Sequence, residues 1–301
     1  MSVSPLMKQV ALILLVSLTV RAGALGVQGF SSGPSGQGQL SIALSDGMLF
    51  LPEVLDPVRA ERTCGTLAAR SAGPKEPAAA IGPHHLPFGA PVLFSLYERL
   101  SQTASLVTRI IILGPDHQDA GTGPIISEAV TYQTSLGSTA SDEQFILDLA
   151  AAGLITRDNA PLVTEHSIYS QVPFIQRFFP DAAIVPVLFR SDASSVDAAA
   201  LGHYLADRTG QETLVILSTD LSHYRSRSEA EIEDTETVQI LRALRSSRLM
   251  AATFDARPAA RALFAYLERK GVTLGAVLCQ ANSADFGADA GSTTGYAGIV
   301  Y

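Results

Sequence analysis

The chain of 301 residues is poor in cysteine and in positive charge. Its two cysteines, Cys64 and Cys279, exclude a framework of several disulfides and a zinc site built from thiolates. One bridge between them would fit the count, but we expect two unrelated thiols. Lysines and arginines number 21 against 29 acidic residues, the net charge is −8, and no basic run occurs. Nucleic acid is therefore not expected as a main partner, because phosphate binding needs a basic face.

Several catalytic signatures are also missing. The chain contains no P-loop, no glycine-rich dinucleotide fingerprint and no H-E-x-x-H zinc motif. The segment Glu165-His166-Ser167 has the residue types of a catalytic triad. No G-x-S-x-G motif surrounds Ser167, however, which argues against a serine hydrolase.

The N-terminal segment has the features of a secretory signal. Lys8 precedes an apolar run from Val10 to Val20, and Ala22-Gly23-Ala24 supplies an A-x-A cleavage site. The run is shorter than the roughly 20 residues that span a bilayer, so we expect no stable membrane span after cleavage. We predict a signal peptide at residues 1–24 and an extracytoplasmic protein, secreted or periplasmic. A cytoplasmic protein with a mis-assigned start or a buried N-terminal helix is the alternative.

The remainder of the chain divides at about residue 78. Residues 25–77 are rich in glycine and serine up to about Gly38 and then carry four prolines, which predicts a linker and irregular structure apart from a strand near residues 40–44. Residues 78–301 alternate strand and helix patterns without an internal repeat. This order predicts an α/β domain, a three-layer sandwich with a largely parallel or mixed central sheet. Its clearest predicted elements are strands at 109–113, 183–189 and 214–217, and helices at 91–100, 195–208, 229–246 and 257–270.

Histidines follow three of the apolar strands. His84 and His85 come after residues 78–81, His117 after 109–113, and His223 after 214–217. Ligands of open α/β sheets bind beyond the carboxyl ends of the strands, so these histidines are expected to share one site. Imidazole ligands suit Fe, Zn, Cu or Ni, and a carboxylate can complete the set. Any one of them taken alone could equally be an ordinary loop histidine.

An acid lies three residues before the last of these histidines. Asp220 can share a face with His223 and orient or stabilise its charged form, which would make the two an acid/base pair. The alternative is that Asp220 caps a helix beside an exposed histidine.

Five ordered motifs carry a family resemblance. They are Gly82-Pro83-His84, Leu113-Gly114-Pro115-Asp116-His117, Glu165-His166-Ser167-Ile168 with Gln171-Val172-Pro173-Phe174, Ser218-Thr219-Asp220-Leu221-Ser222-His223-Tyr224, and Gly295-Tyr296-Ala297. In this order they resemble Memo-like proteins over about residues 78–301. That family includes the "AmmeMemoRadiSam system protein B" sequences of bacteria and archaea and the eukaryotic Memo mediators of cell motility.

The resemblance extends to class III (LigB-type) extradiol dioxygenases, which use non-haem iron at the edge of an α/β sheet. It implies that His84 and His117 are metal ligands and that Asp220 and His223 line the same pocket, with His223 in the acid/base position. Further residues expected around this pocket are His85, Asp116, Glu165 and His166.

The third metal ligand departs from the family pattern. The family has a Cys-Gly shortly before a proline, whereas this chain has Thr253-Phe254-Asp255-Ala256-Arg257-Pro258. Counting back from the proline puts Phe254 in the cysteine position, and a one-residue gap puts Asp255 there. We predict Asp255 as the third ligand, which would give two histidines and one carboxylate. The alternative is that Asp255 is the N-cap of the helix that follows. Two other departures are Tyr169, where the family has a second acid, and the sequence after His84.

These observations predict a Memo-like protein that binds a divalent metal, most naturally Fe(II), with Cu or Zn as alternatives. If catalytic, it would be a non-haem oxygenase or a related redox enzyme acting on a small molecule that the sequence does not identify. A non-catalytic binding or scaffold protein is the first alternative and a metal-dependent hydrolase the second, since one fold hosts many functions. The resemblance also implies protein partners of the AmmeMemoRadiSam type.

Overall fold

The computed structural model describes residues 39–51, 53–70, 73–104 and 106–301. The predicted signal peptide and most of the linker after it lie outside the described residues. Within the described ranges, no helix is both long and apolar enough to cross a membrane.

Strands and helices alternate along most of the described chain, as predicted. The strands are β1 (Leu40–Ala43), β2 (Ala79–Gly82), β3 (Arg109–Pro115), β4 (Ile125–Ser127), β5 (Val130–Thr134), β6 (Gly137–Ala140), β7 (Thr156–Arg157), β8 (Ala183–Phe189), β9 (Thr213–Ser218), β10 (His223–Arg225), β11 (Ala276–Asn282) and β12 (Thr293–Val300). The α-helices are α1 (Asp46–Leu49), α2 (Pro57–Arg70), α3 (Ala90–Thr103), α4 (Glu143–Ala151), α5 (His166–Tyr169), α6 (Val172–Phe178), α7 (Ser195–Arg208), α8 (Arg227–Arg242) and α9 (Arg257–Arg269).

The central sheet is mixed. Its strand order is β10-β12-β2-β9-β3-β8-β4-β7, with β11 also paired to β12. The four central strands β2, β9, β3 and β8 are parallel, and β12 and β4 run antiparallel to them on either side. Because parallel strands are buried on both faces, their sequences are the continuous apolar runs seen in the chain.

Alternate residues of the central strands pack into two separate cores, one on each face of the sheet. Ile111 and Leu113 of β3 contribute to the core formed with α4, α7, α8 and α9. Ile110 and Ile112 contribute to the core formed with α3 and α6. This alternation follows from the two-residue period of a strand and produces helix, sheet and helix layers. The prediction of a three-layer α/β fold is confirmed.

The segment before residue 78 is more ordered than predicted. The strand near residues 40–44 is present as β1 and pairs with β5 in a small second sheet with β6. The expectation of irregular structure is wrong for residues 57–70, which form α2. Its first residue is Pro57, one of the four prolines on which that expectation depends. A proline is well tolerated at the first position of a helix, where its missing N–H costs nothing.

The two cysteines form a disulfide, which corrects our expectation of unrelated thiols. Cys64 on α2 is bonded to Cys279 on β11, and both side chains are buried beside Val92 and Tyr296. The bridge joins α2 to the central sheet, and the two cysteines are 215 residues apart in the sequence.

The helix predicted at 229–246 is shifted towards the N-terminus. A capping box between Ser226 and Glu229 starts α8 at Arg227, and the helix ends at Arg242. Leu244 then adopts a positive φ of 48°, which an α-helix does not accommodate, and residues 246–251 continue as a 3-10 helix.

Candidate metal centre

Three predicted site residues follow neighbouring strands. His84 comes two residues after β2, His117 two residues after β3, and Asp220 two residues after β9. Because β9 lies between β2 and β3 and all three are parallel, their carboxyl ends meet at one edge of the sheet. Pro83 and Pro115 help to end the ladders there, since proline has no N–H to donate. We call His84, His117, Asp220 and Asp255 the strand-end site.

Asp255 joins this site from the segment before α9. Its Oδ2 lies 3.2 Å from His84 Nε2 and 3.7 Å from His117 Nε2. The carboxylate also accepts hydrogen bonds from the Thr219 hydroxyl at 2.7 Å and from the backbone N–H of Asp220. These contacts hold Asp255 over the ends of β9 and β3.

The alternative roles in this segment do not fit the structure. The N-cap of α9 is Ala256, without a side-chain cap, so Asp255 is not the cap of that helix. Phe254, the other position considered for the missing cysteine, is buried in the hydrophobic core. The one-residue gap in the motif therefore brings Asp255 to the sheet edge.

His84 is, with Asp220, the most buried member of the strand-end site, and 1% of its surface is exposed. Its backbone N–H donates to Asp220 Oδ1, and its Nδ1 lies 3.2 Å from the Ser218 hydroxyl. When Nδ1–H donates to Ser218, the lone pair of Nε2 is available to a metal. Nε2 is buried and has no hydrogen-bond partner, although the carboxylates of Asp255 and Asp220 lie 3.2 and 3.5 Å away.

The carboxylates around His84 favour a cation. Burial lowers the pKa of the His84 imidazole, but the negative charges of Asp220 and Asp255 outweigh it, so the pKa lies above its usual value. Burial would likewise raise the pKa of Asp255, yet His84 and His117 hold it well below the usual range. A proton or a metal ion at His84 Nε2 therefore stabilises the same negative charges.

Glu165 orients His117. One carboxylate oxygen accepts from His117 Nδ1 at 2.8 Å and from the Ser167 N–H, and the other accepts from the His117 backbone N–H. Burial lowers the pKa of His117, but the nearby negative charge of Asp255 and the hydrogen bond and charge of Glu165 raise it to about 10. Such a carboxylate behind an imidazole fixes the tautomer that presents Nε2 to a metal.

His166 completes a layer of three imidazoles. Its ring stacks on His117 with centroids 4.3 Å apart and meets the His84 ring edge-on at 5.0 Å. Burial and the positive charges of His84 and His117 lower its pKa to about 4. His166 is therefore neutral at pH 7 and could serve as a further nitrogen ligand. The ligand atoms of His84, His117 and His166 all lie within 4.8 Å of one another, as do those of His84, Asp220 and Asp255.

The remaining predicted residues lie around this site in different roles. His223 starts β10, and its Nε2 lies 3.9 Å from Asp220 Oδ2, beyond hydrogen-bond distance. His85 is half-buried, with Nδ1 2.9 Å from the Tyr296 hydroxyl. The Asp116 carboxylate accepts from the N–H groups of Gln118 and Gly121 and so shapes the turn after β3. It belongs to neither of the two candidate ligand groups.

Sequence reasoning missed the polar chain behind His84. Gln171 donates from Nε2 to the Ser218 hydroxyl at 3.0 Å and to the Pro83 carbonyl at 2.8 Å, and Tyr97 donates to Gln171 Oε1. This chain fixes Ser218 and hence the orientation of the His84 ring. The sequence analysis includes Gln171 only as part of a motif. No local pattern predicts that a glutamine at the start of a helix contacts the end of a strand.

Comparisons with known proteins agree with the resemblance. A model of the family described as Memo-like protein matches residues 59–300. A MEMO1 family protein of Methanopyrus kandleri is 28% identical over 251 residues, which cover 79% of this chain and 87% of that protein. A MEMO1 family protein of Methanothermobacter thermautotrophicus is 30% identical over 233 residues, covering 72% and 82%.

The fold also has a solved counterpart. The crystal structure of an uncharacterized protein from Escherichia coli K12 superposes with a TM-score of 0.50 at 12% identity, covering 74% of this chain and 98% of that one. At this identity the likeness concerns the fold alone, and it supports a Memo/LigB-like architecture. From the family match over residues 59–300, the chain belongs to the Memo-like protein family.

Proposed function

We propose that this protein binds Fe(II) through His84, His117 and Asp255 and catalyses a non-haem redox reaction on a small molecule. The observation that carries the proposal is the buried, unpartnered Nε2 of His84, which faces a carboxylate oxygen that His117 Nε2 also approaches. A buried polar atom without a partner is costly unless a bound group satisfies it, and a metal ion would do so here.

The ligand types favour iron among the divalent metals. Two imidazoles and one carboxylate on one side of an ion, with other positions open, are typical of non-haem Fe(II) oxygenases. Asp255 replaces the thiolate of the wider family with a harder oxygen ligand, while Cu and Zn remain compatible with imidazole. When bound, Fe(II) supplies Lewis acidity and a redox-active centre.

The residues of the chain would position and protonate the substrate. His223 is one-third exposed beside the buried Asp220, so it can exchange protons with solvent and with a ligand in the site. A movement that shortens the separation of 3.9 Å would let Asp220 stabilise the charged imidazole. We assign proton transfer to His223 Nε2 and the orientation of His117 to Glu165.

Metal analysis of anaerobically purified protein tests the proposal. The parental chain should carry iron, and the double variant His84→Ala/His117→Ala should lose it. His203→Ala is the matched control, because His203 lies on α7 away from the strand ends and is not part of either candidate ligand group.

Three results would redirect the assignment. Equal metal content in the double variant and the parent would remove these histidines from the ligand set. Zinc in place of iron would favour a metal-dependent hydrolase. A parental protein that takes up no metal would favour a binding or scaffold protein.

We further propose that the mature protein acts outside the cytoplasm. The signal features of the N-terminus support this, and so does the Cys64–Cys279 disulfide, since disulfides persist in oxidising compartments. Alkylation of free thiols in separated cell fractions tests it. We expect processed protein with no free thiol in the extracytoplasmic fraction. Full-length cytosolic protein with two free thiols would contradict export.

A further inference from the structure

A cavity adjoins the strand-end site. It has a volume of about 700 Å³, within the range of small-molecule sites. Three segments form it: the turn from β8 into α7, the 3-10 helix at 246–251, and the start of α9. Its walls combine Ala193, Leu249 and Met250 with serine hydroxyls and two arginines, Arg257 and Arg261. We call it the arginine cavity.

The charge of the arginine cavity is not balanced by its own walls. The side chain of Arg261 is half-buried and makes no hydrogen bond, ion pair or ring contact with any other residue in the described ranges. Arg257 donates from Nη2 to the Ala252 carbonyl and lies over the Phe254 ring, without an acidic partner. Asp255 is the one acid in the lining, and its carboxylate is held by His84, His117 and Thr219.

Two contacts connect the arginine cavity to the metal centre. Asp255 belongs to both, since it lines the cavity and approaches His84 and His117. Ser191, which also lines the cavity, donates from its N–H and from its hydroxyl to the Asp119 carboxylate, both at 2.6 Å. Asp119 lies in the turn that carries His117, so the cavity wall is fastened to a loop of the metal site. A ligand in the cavity would therefore reach the metal centre past Asp255.

Another charged cavity of the described chain has the same excess of basic over acidic residues, but its basic side chains are placed differently. The cavity beside Lys75 and Lys270 contains Glu76, and Lys270 donates to the Thr209 carbonyl while lying over the Tyr266 ring. Lys75 is exposed to solvent, whereas Arg261 is a partly buried cation without a partner, which distinguishes the arginine cavity in a chain whose net charge is −8.

We propose that the arginine cavity binds the anionic end of the substrate, a small organic molecule with an apolar body and a carboxylate or phosphate group. The planar guanidinium groups of Arg257 and Arg261 offer paired N–H donors that match either group. The apolar walls suit the body of such a molecule, whose other end lies at the metal centre. This inference rests on the proposed metal-dependent function, because only a reaction at the metal makes the bound anion a substrate. Binding of the anion in the cavity does not itself need the metal.

Calorimetric titrations with benzoate, phenyl phosphate and benzamide test the proposal. The two anions should bind the parental protein and the neutral benzamide should not, and the better anion distinguishes a carboxylate site from a phosphate site. Arg261→Gln should weaken anion binding about 10- to 100-fold, as expected for the loss of charge-assisted hydrogen bonds. Arg257→Gln provides a second variant should the first fail to fold.

Arg269→Gln is the matched control, because Arg269 lies on the same helix, is exposed and pairs with Asp207 instead. Equal anion affinity in both cavity variants and in this control would overturn the proposal. So would equal binding of benzoate and benzamide to the parent. Loss of anion binding in His84→Ala/His117→Ala, with full binding in the arginine variants, would also overturn it by placing the anion on the metal. Retained binding in that metal-free variant supports the arginine cavity.

Metal content measured on the same samples keeps the two proposals apart. Arg261→Gln should retain metal at the parental level. If the metal assignment fails, the benzoate titrations still decide whether the arginine cavity binds anions.

Discussion

The two ends of the central parallel strands carry charged residues in different ways. At the amino ends, Arg109 pairs with Asp142 at 2.7 Å, and both side chains are about one-fifth exposed. At the carboxyl ends, three carboxylates face several imidazoles, and Asp220, Asp255 and His84 are largely withdrawn from water. The amino ends have an ordinary ion pair, whereas the carboxyl ends concentrate charges whose ionisation depends on one another.

The difference indicates where the fold serves stability and where it serves function. A partly exposed ion pair contributes about 0.2–1 kcal/mol and needs no further partner. Buried charges cost several kcal/mol each unless they are paired, so a buried group such as His84 with an unpartnered nitrogen is retained at a cost to stability. Substitutions at the two ends should therefore affect different properties: metal binding at one, and unfolding alone at the other.

The largest effect is expected from Asp255→Asn. In the proposed site Asp255 would provide the negative charge that holds a divalent cation, so the variant should bind metal at least about 100-fold more weakly. Asp142→Asn at the opposite end makes the same chemical change and should leave the metal content unchanged. Competition with a chelating indicator measures both affinities. Parental affinity in Asp255→Asn would rule this ligand out.

His223→Ala should separate proton transfer from metal binding. The variant should keep metal at the parental level, because His223 belongs to neither candidate ligand group. Oxygen uptake by the iron-loaded protein with catechol as probe should fall about 100-fold, the lower range for loss of a general acid or base. Loss of metal in this variant would instead make His223 a ligand. Equal oxygen uptake in parent and variant would remove it from the reaction.

Much of the strand-end geometry could be predicted because it depends on local rules. A parallel sheet brings the carboxyl ends of its strands to one edge, so apolar runs that end before His84, His117 and Asp220 predict that these residues meet. The same rules predicted β8 and α7 with their observed bounds. The order of motifs then supplied the family, which the comparisons confirm.

The features that were missed depend on contacts between distant segments. Nothing near Cys64 or Cys279 indicates that α2 packs against β11, so their pairing follows only from the assembled fold. The reach of Gln171 to Ser218 is likewise a property of packing between α6 and the sheet. At residue 255, spacing from the proline left two positions open; Phe254 lies in the core and Asp255 at the strand ends, a difference that appears only in the folded chain.

Glu165→Gln should change how stability depends on pH, because the ionisation of Glu165 is coupled to that of His117. Burial would raise the pKa of Glu165, but its hydrogen bonds with His117 and the charge of His117 lower it to about 2 from a usual 4.5. The stability that it contributes is present above pH 4.5 and is lost as the pH falls through 2. His117 has a raised pKa of about 10, so its contribution is present below pH 6.5 and is lost as the pH rises through 10.

Both contributions are therefore complete between about pH 4.5 and 6.5. Urea unfolding of chelator-treated protein at pH 5.5 should give a free energy of unfolding about 2–3 kcal/mol lower in Glu165→Gln, towards the low end for breaking a buried pair. The variant should also lose less stability on acidification. Glu236→Gln, which removes an exposed partner of Arg248, is the control and should change little. If the free energy of unfolding falls on acidification by the same amount in Glu165→Gln as in the parent, the coupling between Glu165 and His117 is contradicted.

The smallest effect is expected from Arg109→Met at the amino ends. Arg109 donates from Nε to Asp142 at 2.8 Å, and its guanidinium lies over the Phe145 ring. Asp142 also caps α4 by accepting from the Phe145 N–H, a contact that does not need Arg109. Methionine keeps the apolar stem, so the free energy of unfolding should fall by only about 1 kcal/mol. Metal content should stay at the parental level. A loss of metal in Arg109→Met would show that the two ends of the strands are coupled through the sheet, and that their separation into a stabilising and a functional end is wrong.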